Sequence, residues 1–243
     1  MKKTLIITAL VFSSLCLSAQ PNQGQNFNRE AFQPFFTQEK APHMELILPP
    51  PPSITDTRFL DDFAQYQWGK SIRHTERGQL AVEDAGISAD YFLKRFSPAV
   101  GKELSRENNP ELYLLFSRAH RTESVSGRSA KQFFARVRPY QQFKEESGVP
   151  RGENPTDYTS YPSGHTHAAW LMGLILTAID PEHTEAIMNA AYEVGQSRVI
   201  VGFHYQSDID AGRVVGSVTF ARLWSEPEFQ AQLAKAREEY YKK

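Results

Sequence analysis

The chain has 243 residues, enough for one domain or one domain with extensions. A hydrophobic content of 40% beside 23% charged residues is that of an ordinary globular protein. The formal net charge of -1 provides no general attraction for nucleic acid or acidic membranes, so any anion binding must come from a local cluster.

The N-terminus reads as a secretory signal over residues 1–19. Lys2 and Lys3 form the positive end, Leu5 to Leu17 the apolar stretch, and Ser18-Ala19 a small-residue cleavage site before Gln20. A membrane anchor is the alternative, but the apolar run is shorter than the ~20 residues a span needs. Cleavage would remove two lysines and shift the net charge from -1 to -3. Cys16, the only cysteine, lies in this segment, so the mature chain has no disulfide and no cysteine ligand for zinc. A lipoprotein signal would want a small residue before Cys16, where Leu15 stands; lipidation is left open.

Residues 20–58 are expected to form a poorly ordered or extended arm that leads to, or wraps, the domain. They are rich in Gln and Asn up to Asn28 and carry the proline run Pro49 to Pro52. From there helix signals dominate, and residues 59–243 are expected to form a single compact all-α domain. Phe59, Phe63, Tyr66 and Trp68 mark an amphipathic helix. Asp84 to Asp90 supplies turn and cap material before Tyr91 to Phe96, and Asn109-Pro110 opens a further helix. Ser129 to Val137 is predicted helical and ended by Pro139; Lys144 to Asp157 is a polar loop that could fold over a site. Thr166 to Ile179 is a buried core helix, too short and too closely bounded by polar residues for a membrane span. Helices over Pro181 to Val199 and Asp208 to Trp224 follow, and a capping box of Ser225 with Glu228 starts the last helix. No alternating strand pattern is visible.

Three segments carry candidate chemistry. Lys131 and Arg138 are seven apart, so on one helix they share a face and could grip one phosphate, Arg as a fork and Lys as a point charge. With Arg128 and Arg136 nearby, a merely solvated basic face is the alternative. The turn Tyr161-Pro162-Ser163-Gly164-His165 runs into a helix, placing N–H groups, a hydroxyl and an imidazole at a positive helix end. Gly164 would let an anion approach the backbone and His165 could act as general acid; a plain Ser163 N-cap with a surface histidine is the alternative. Last, His204 and Asp208 are four apart, so on a helix the carboxylate could fix the tautomer and free the other nitrogen as a nucleophile, with Arg198 adding a third cation. A purely structural His–Asp contact is the alternative there. His43, His74, His120, His167 and His183 show no metal-ligand spacing, and His167 reads as structural.

Taken together, Lys131-x6-Arg138-Pro139, Pro162-Ser163-Gly164-His165 and Ser197-Arg198-x5-His204-x3-Asp208 resemble the three-part signature of the type-2 phosphatidic-acid phosphatase and vanadium haloperoxidase superfamily. Within it the chain looks like the class A bacterial non-specific acid phosphatases, through Ser160 to Thr166, Asp84-Ala85 and Asn109 to Tyr113. The resemblance runs from roughly Asp62 to Trp224; the family's glycine before the Ser-Tyr pair is Thr159 here. It implies broad hydrolysis of phosphate monoesters in the periplasm at acid pH, without cofactor or metal. His204 would be the nucleophile, Asp208 its orienting partner and His165 the general acid. Lys131, Arg138, Arg198, Ser163 and the Gly164 amide would hold phosphate. The acid optimum would require the two histidine pKa values to be pushed apart. Small phosphate esters are the implied partners, with no nucleic acid and no membrane span in the mature chain, and a homodimer is left open. A vanadium-dependent haloperoxidase, a lipid phosphatase and a non-catalytic phosphate binder are the competing readings.

Overall fold

Ten α-helices and a few short 3-10 turns make up the described residues, 32–242, of the computed structural model; no strand occurs among them. The expected signal over 1–19, with Cys16, and the first part of the 20–58 arm lie outside the described residues. The helices are α1 (Phe59–Ser71), α2 (Glu76–Glu83), α3 (Ala89–Val100), α4 (Pro110–Ser126), α5 (Arg128–Phe134), α6 (Pro139–Phe143), α7 (Gly164–Ile179), α8 (Thr184–Ile200), α9 (Gln206–Leu223) and α10 (Pro227–Tyr241). This is the all-α class expected.

Helix α7 is the axis of the fold. Its sequence is apolar nearly all round, which is the pattern of a helix enclosed by others. Leu171, Met172, Ile175 and Leu176 are fully buried against α8, α9 and α4, and each such side chain contributes about 1.5–3 kcal/mol of transfer free energy. The helix has no charged residue; its polar character is concentrated at its N-terminus, where the site lies. Close crossing of α9 over that end depends on Gly212. A Cβ there would stand 2.8 Å from the Ser163 carbonyl oxygen and 2.9 Å from Thr166 Cβ.

Helix α4 starts at Pro110, with its fixed φ in the first helical position. The free N–H groups of Glu111 and Leu112 donate to the Glu239 carboxylate of α10, at 2.9 and 3.2 Å. An anion at a helix N-terminus satisfies both the orphan donors and the dipole. The first and last parts of the helical array are thereby joined.

Several local expectations are corrected. The compact unit begins at Phe32, not near 59. Residues 32–58 wrap the domain and are packed rather than loose, because Phe35, Phe36, Met44 and Leu48 are buried. Phe35 meets Phe229 edge-on at 5.4 Å, and the carbonyls of Pro49 and Pro52 accept from Tyr161 and Arg136. A proline run has no N–H to satisfy, so it can be laid down carbonyl-first. Lys131 and Arg138 do not share a helix: α5 ends at Ala135, in the left-handed conformation at φ 43°, and Arg138 caps α6, which Pro139 begins rather than ends. Ser225 makes no capping box; α10 starts at Pro227, and the Ser225 hydroxyl donates to the Arg222 carbonyl. Trp68 lies half exposed on the outer side of α1.

Gly212→Ala is expected to lower stability by about 1–3 kcal/mol through overpacking against α7, measured by denaturant unfolding. Because the contact it strains is the Ser163 carbonyl, the turn ahead of α7 should be displaced in the same variant, measured as faster amide exchange at that helix end.

Candidate active site

The three signature segments converge on one cleft of about 290 Å³, whose lining includes Lys131, Arg138, Gly164, His165 and His204. Ser163, Arg198 and Asp208 are buried and are not among the lining residues. A larger groove of about 450 Å³ under the proline run contains none of these eight residues.

The turn before α7 is held from several sides, and its Tyr161–Pro162 peptide is cis. Ser163 N–H donates to the Asp208 carbonyl at 3.0 Å, tying the turn to the start of α9. Ser163 Oγ accepts from the Thr166 N–H and hydroxyl at 3.3 and 3.0 Å. It therefore caps α7, and its own O–H is left to donate elsewhere. Lys131 Nζ donates to the carbonyls of Pro162 and Thr159 at 2.6 and 2.8 Å. An ammonium has three donors, so one remains for an anion beside Gly164.

Arg138 is aimed by Asp157, which accepts from its Nε at 2.8 Å; Asp157 in turn receives the Thr159 N–H at 2.8 Å. The polar loop thus reaches the site through its last residue. Arg198 is 2% exposed, and its Nε and Nη1 have no protein partner. Buried guanidinium donors without acceptors are costly unless an anion answers them.

The histidine tautomers follow from their neighbours. Arg138 Nη1 lies 3.0 Å from His204 Nε2. A guanidinium can only donate, so Nε2 accepts and the proton sits on Nδ1. That Nδ1 faces Asp208 Oδ2 at 3.5 Å, an electrostatic contact without a formed hydrogen bond. His204 precedes α9 instead of lying on it; Tyr205 is the cap, and the turn brings the pair together. His165 Nε2 lies 3.0 Å from the Ala85 carbonyl, which can only accept, so Nδ1 is the nitrogen free to exchange a proton. Asp84, fully buried, anchors that turn by accepting from Tyr91, Arg95 and Ser197 at 2.6, 2.9 and 2.6 Å.

Arg136, which with Arg128 kept a solvated basic face open as the alternative, is the buried support of the site. Its Nη1 donates to Asp208 Oδ1 at 2.6 Å and to Ser207 at 2.8 Å; its Nη2 donates to Asp62 at 2.7 Å. Asp208 Oδ2 also accepts from the Ser160 hydroxyl and the Tyr205 N–H at 2.6 and 2.9 Å. The signature spacing contains no hint of Arg136, Asp62, Asp157 or Glu123. Alternation along an extended chain would put Arg136 and Arg138 on one side, so no sequence signal separated the two arginines.

Charge crowding sets the protonation states. Burial, then Arg138, pushes His204 down to about 3. Burial, then Arg198, holds His165 well below its ordinary range, against the pull of the Ala85 carbonyl. Both imidazoles are therefore shifted the same way, where an acid–base division would set them apart. A phosphate dianion beside Arg138 and Arg198 would offset the repulsion and raise His165 toward protonation. Burial and Arg138 also bring Lys131 to about 8 and Arg198 to about 10. Burial would raise Asp208, but Arg136 and His204 outweigh it and keep the carboxylate ionised.

Residues 112–229 match the PAP2 superfamily. Along 245 aligned residues the chain is 37% identical to the non-specific acid phosphatase of Providencia stuartii, covering 100% of this chain and 99% of that protein. It is 40% identical to the non-specific acid phosphatase of Salmonella typhi over 209 residues, 85% of this chain and 84% of the other. An acid phosphatase of Zymomonas mobilis subsp. mobilis is 29% identical over 237 residues, 97% of this chain and 90% of its own. With the signature residues gathered at one cleft and similarity running the length of the polypeptide, the chain belongs to the non-specific acid phosphatases of the PAP2 superfamily.

Proposed function

We propose that the protein is a periplasmic acid phosphatase that hydrolyses a broad range of phosphate monoesters through a phosphohistidine on His204. The observation that carries this reading is His204 itself: a buried, neutral imidazole with an unprotonated Nε2 at the cleft and its Nδ1–H toward a carboxylate. Once Arg138 Nη1 turns from Nε2 to a phosphate oxygen, the freed Nε2 lone pair attacks phosphorus as the ester P–O bond breaks. His165 Nδ1, protonated once the dianion is bound, gives its proton to the leaving oxygen. Water then attacks phosphorus as the P–N bond breaks; His165 takes the water's proton, phosphate leaves, and His204 is restored. Lys131, Arg138, Arg198, Ser163 Oγ and Gly164 N–H hold the equatorial oxygens, where charge stabilisation matters most in phosphoryl transfer.

Metal-independence is supported by the cation set, since Lys131, Arg138 and Arg198 can answer the charge of a phosphoryl group without an ion. Among the described residues no helix is long and apolar enough to cross a membrane. Export to the periplasm is supported by Lys2, Lys3 and the apolar stretch that follows. Broad specificity is supported by contacts that address the phosphoryl group more than any one alcohol.

Hydrolysis of p-nitrophenyl phosphate with EDTA present should proceed in the wild type and fall by about a thousandfold or more in His204→Ala. Loss of wild-type activity in EDTA would contradict the metal-free mechanism. His165→Ala should cost about 100- to 10,000-fold on alkyl phosphates, and much less on p-nitrophenyl phosphate, whose leaving group needs no proton. Equal losses on both would remove His165 from the general-acid role.

Stability should also respond to pH in a defined window. The unfolded histidine binds a proton below about 6.5, while folded His204 resists one until about 3. The unfolded state therefore binds more protons between those values, and stability falls as pH drops below 6.5. The denaturant midpoint is expected to decline from pH 6.5 to 5, and to decline less in His204→Asn.

A further inference from the structure

One wall of the cleft is chemically out of place for a phosphate site. Helix α4 presents Glu123 and His120 to it, with Ser124 at the rim and Ile87 lining the same space. Glu123 is 6% exposed, and a Cβ at Gly164 would lie 3.6 Å from its Oε1 and 3.7 Å from Lys131 Cε. A buried carboxylate beside an anion-binding backbone disfavours phosphate, so its presence needs another function.

Its orientation is fixed from behind. Oε1 meets His167 Nδ1 at 3.2 Å; His167 Nε2 meets Thr219 Oγ1 at 3.0 Å, and Thr219 meets Ser126 at 2.8 Å. This chain crosses α4, α7 and α9, so the carboxylate is held rather than free to turn. Burial would raise Glu123, yet His167, with His120 and Lys131, outweighs it and keeps the group anionic. A carboxylate can accept about four hydrogen bonds. Oε2 receives one, a long 3.4 Å contact from the Ser124 hydroxyl. The positioned anion therefore has acceptor capacity left over at the cleft. His120, on the same wall, has an imidazole that can donate or accept.

We propose that Glu123 and His120 form a subsite for hydroxyl groups on the leaving alcohol, so that esters of polyhydroxy alcohols, such as sugar and glycerol phosphates, are preferred over esters of simple alcohols. A fixed carboxylate accepts vicinal hydroxyls, the imidazole adds a second polar contact, and Ile87 supplies an apolar surface for the carbon skeleton. Phosphate itself stays with the cations and the α7 N-terminus. This rests on the phosphatase reading and names the alcohol that the site favours.

The test compares kcat/KM for glycerol 1-phosphate and propyl phosphate, which match in length and differ in hydroxyls. The wild type should favour glycerol 1-phosphate by about ten- to a hundredfold, the range for hydrogen bonds to a charged partner. Glu123→Gln should collapse the ratio toward unity, mainly through KM for glycerol 1-phosphate, and His120→Ala should reduce it by a smaller factor. The ratio is the readout because a disturbed phosphate site would slow both esters together. If Glu123→Gln does not fold, the wild-type ratio and His120→Ala decide. A wild-type ratio near one, or a ratio unchanged in the variants that fold, would overturn the subsite. Failure of the wild type to hydrolyse either ester, or p-nitrophenyl phosphate, would instead refute the phosphatase reading.

Discussion

The guanidinium of Arg136 ties together three parts of the chain that each lie far from it in sequence. It is buried, and it bridges Asp62 of α1 and Asp208 of α9 while also holding the Pro52 carbonyl of the wrapping segment. Asp208 can face His204 only because its other oxygen and its charge are already answered. A buried ion pair gains little over a well-packed apolar core, but removing one partner leaves an uncompensated charge and typically costs about 3–5 kcal/mol. Arg136 therefore fixes geometry more than it adds stability. The orientation of Asp208 toward His204, the seating of the proline run and the approach of α1 to α9 are all braced by this one buried side chain.

The cleft places like charges together at an electrostatic cost. Lys131, Arg138 and Arg198 each repel their neighbours, and the depression of Lys131, Arg198 and both histidines has that repulsion in common, together with burial. The rest of the fold tolerates the crowding because each group is restrained by neutral or acidic partners: carbonyls for Lys131, Asp157 for Arg138, the Ala85 carbonyl for His165. A phosphate bound at the cleft, as proposed, would relieve all of them at once. The energy of binding is then expressed as relief of strain between cations, which is greatest for the most highly charged form of the phosphoryl group.

What could be read from the residues was the apolar core helix and the order of the motifs. Both are local: α7 is a continuous apolar run, and the turn before it has its own chemistry. Helical spacing put His204 near Asp208 and Lys131 near Arg138, and both pairs do meet, but not by that route. A left-handed break at Ala135 and the turn ahead of α9 do the work, and neither has a sequence marker as strong as proline or glycine. Arg136, Asp62 and Glu123 were illegible for a different reason. Each is an ordinary charged residue on its own element, and its meaning comes from a partner 72 or more residues away, as with Arg136 and Asp208, or from a helix packed across it. That this segment wraps the domain was one of the two expectations; its tight packing was not legible, because composition registers prolines and amides, while buried apolar side chains such as Phe35, Phe36, Met44 and Leu48 decide its fate.

The carboxylate of Glu239 that completes the start of α4 makes the wall carrying Glu123 answerable to a helix 128 residues further along the chain. Until α10 docks, the N–H groups of Glu111 and Leu112 have only water to bond to. That end of α4 is thereby completed only in the assembled array, by a contact remote from the cleft itself.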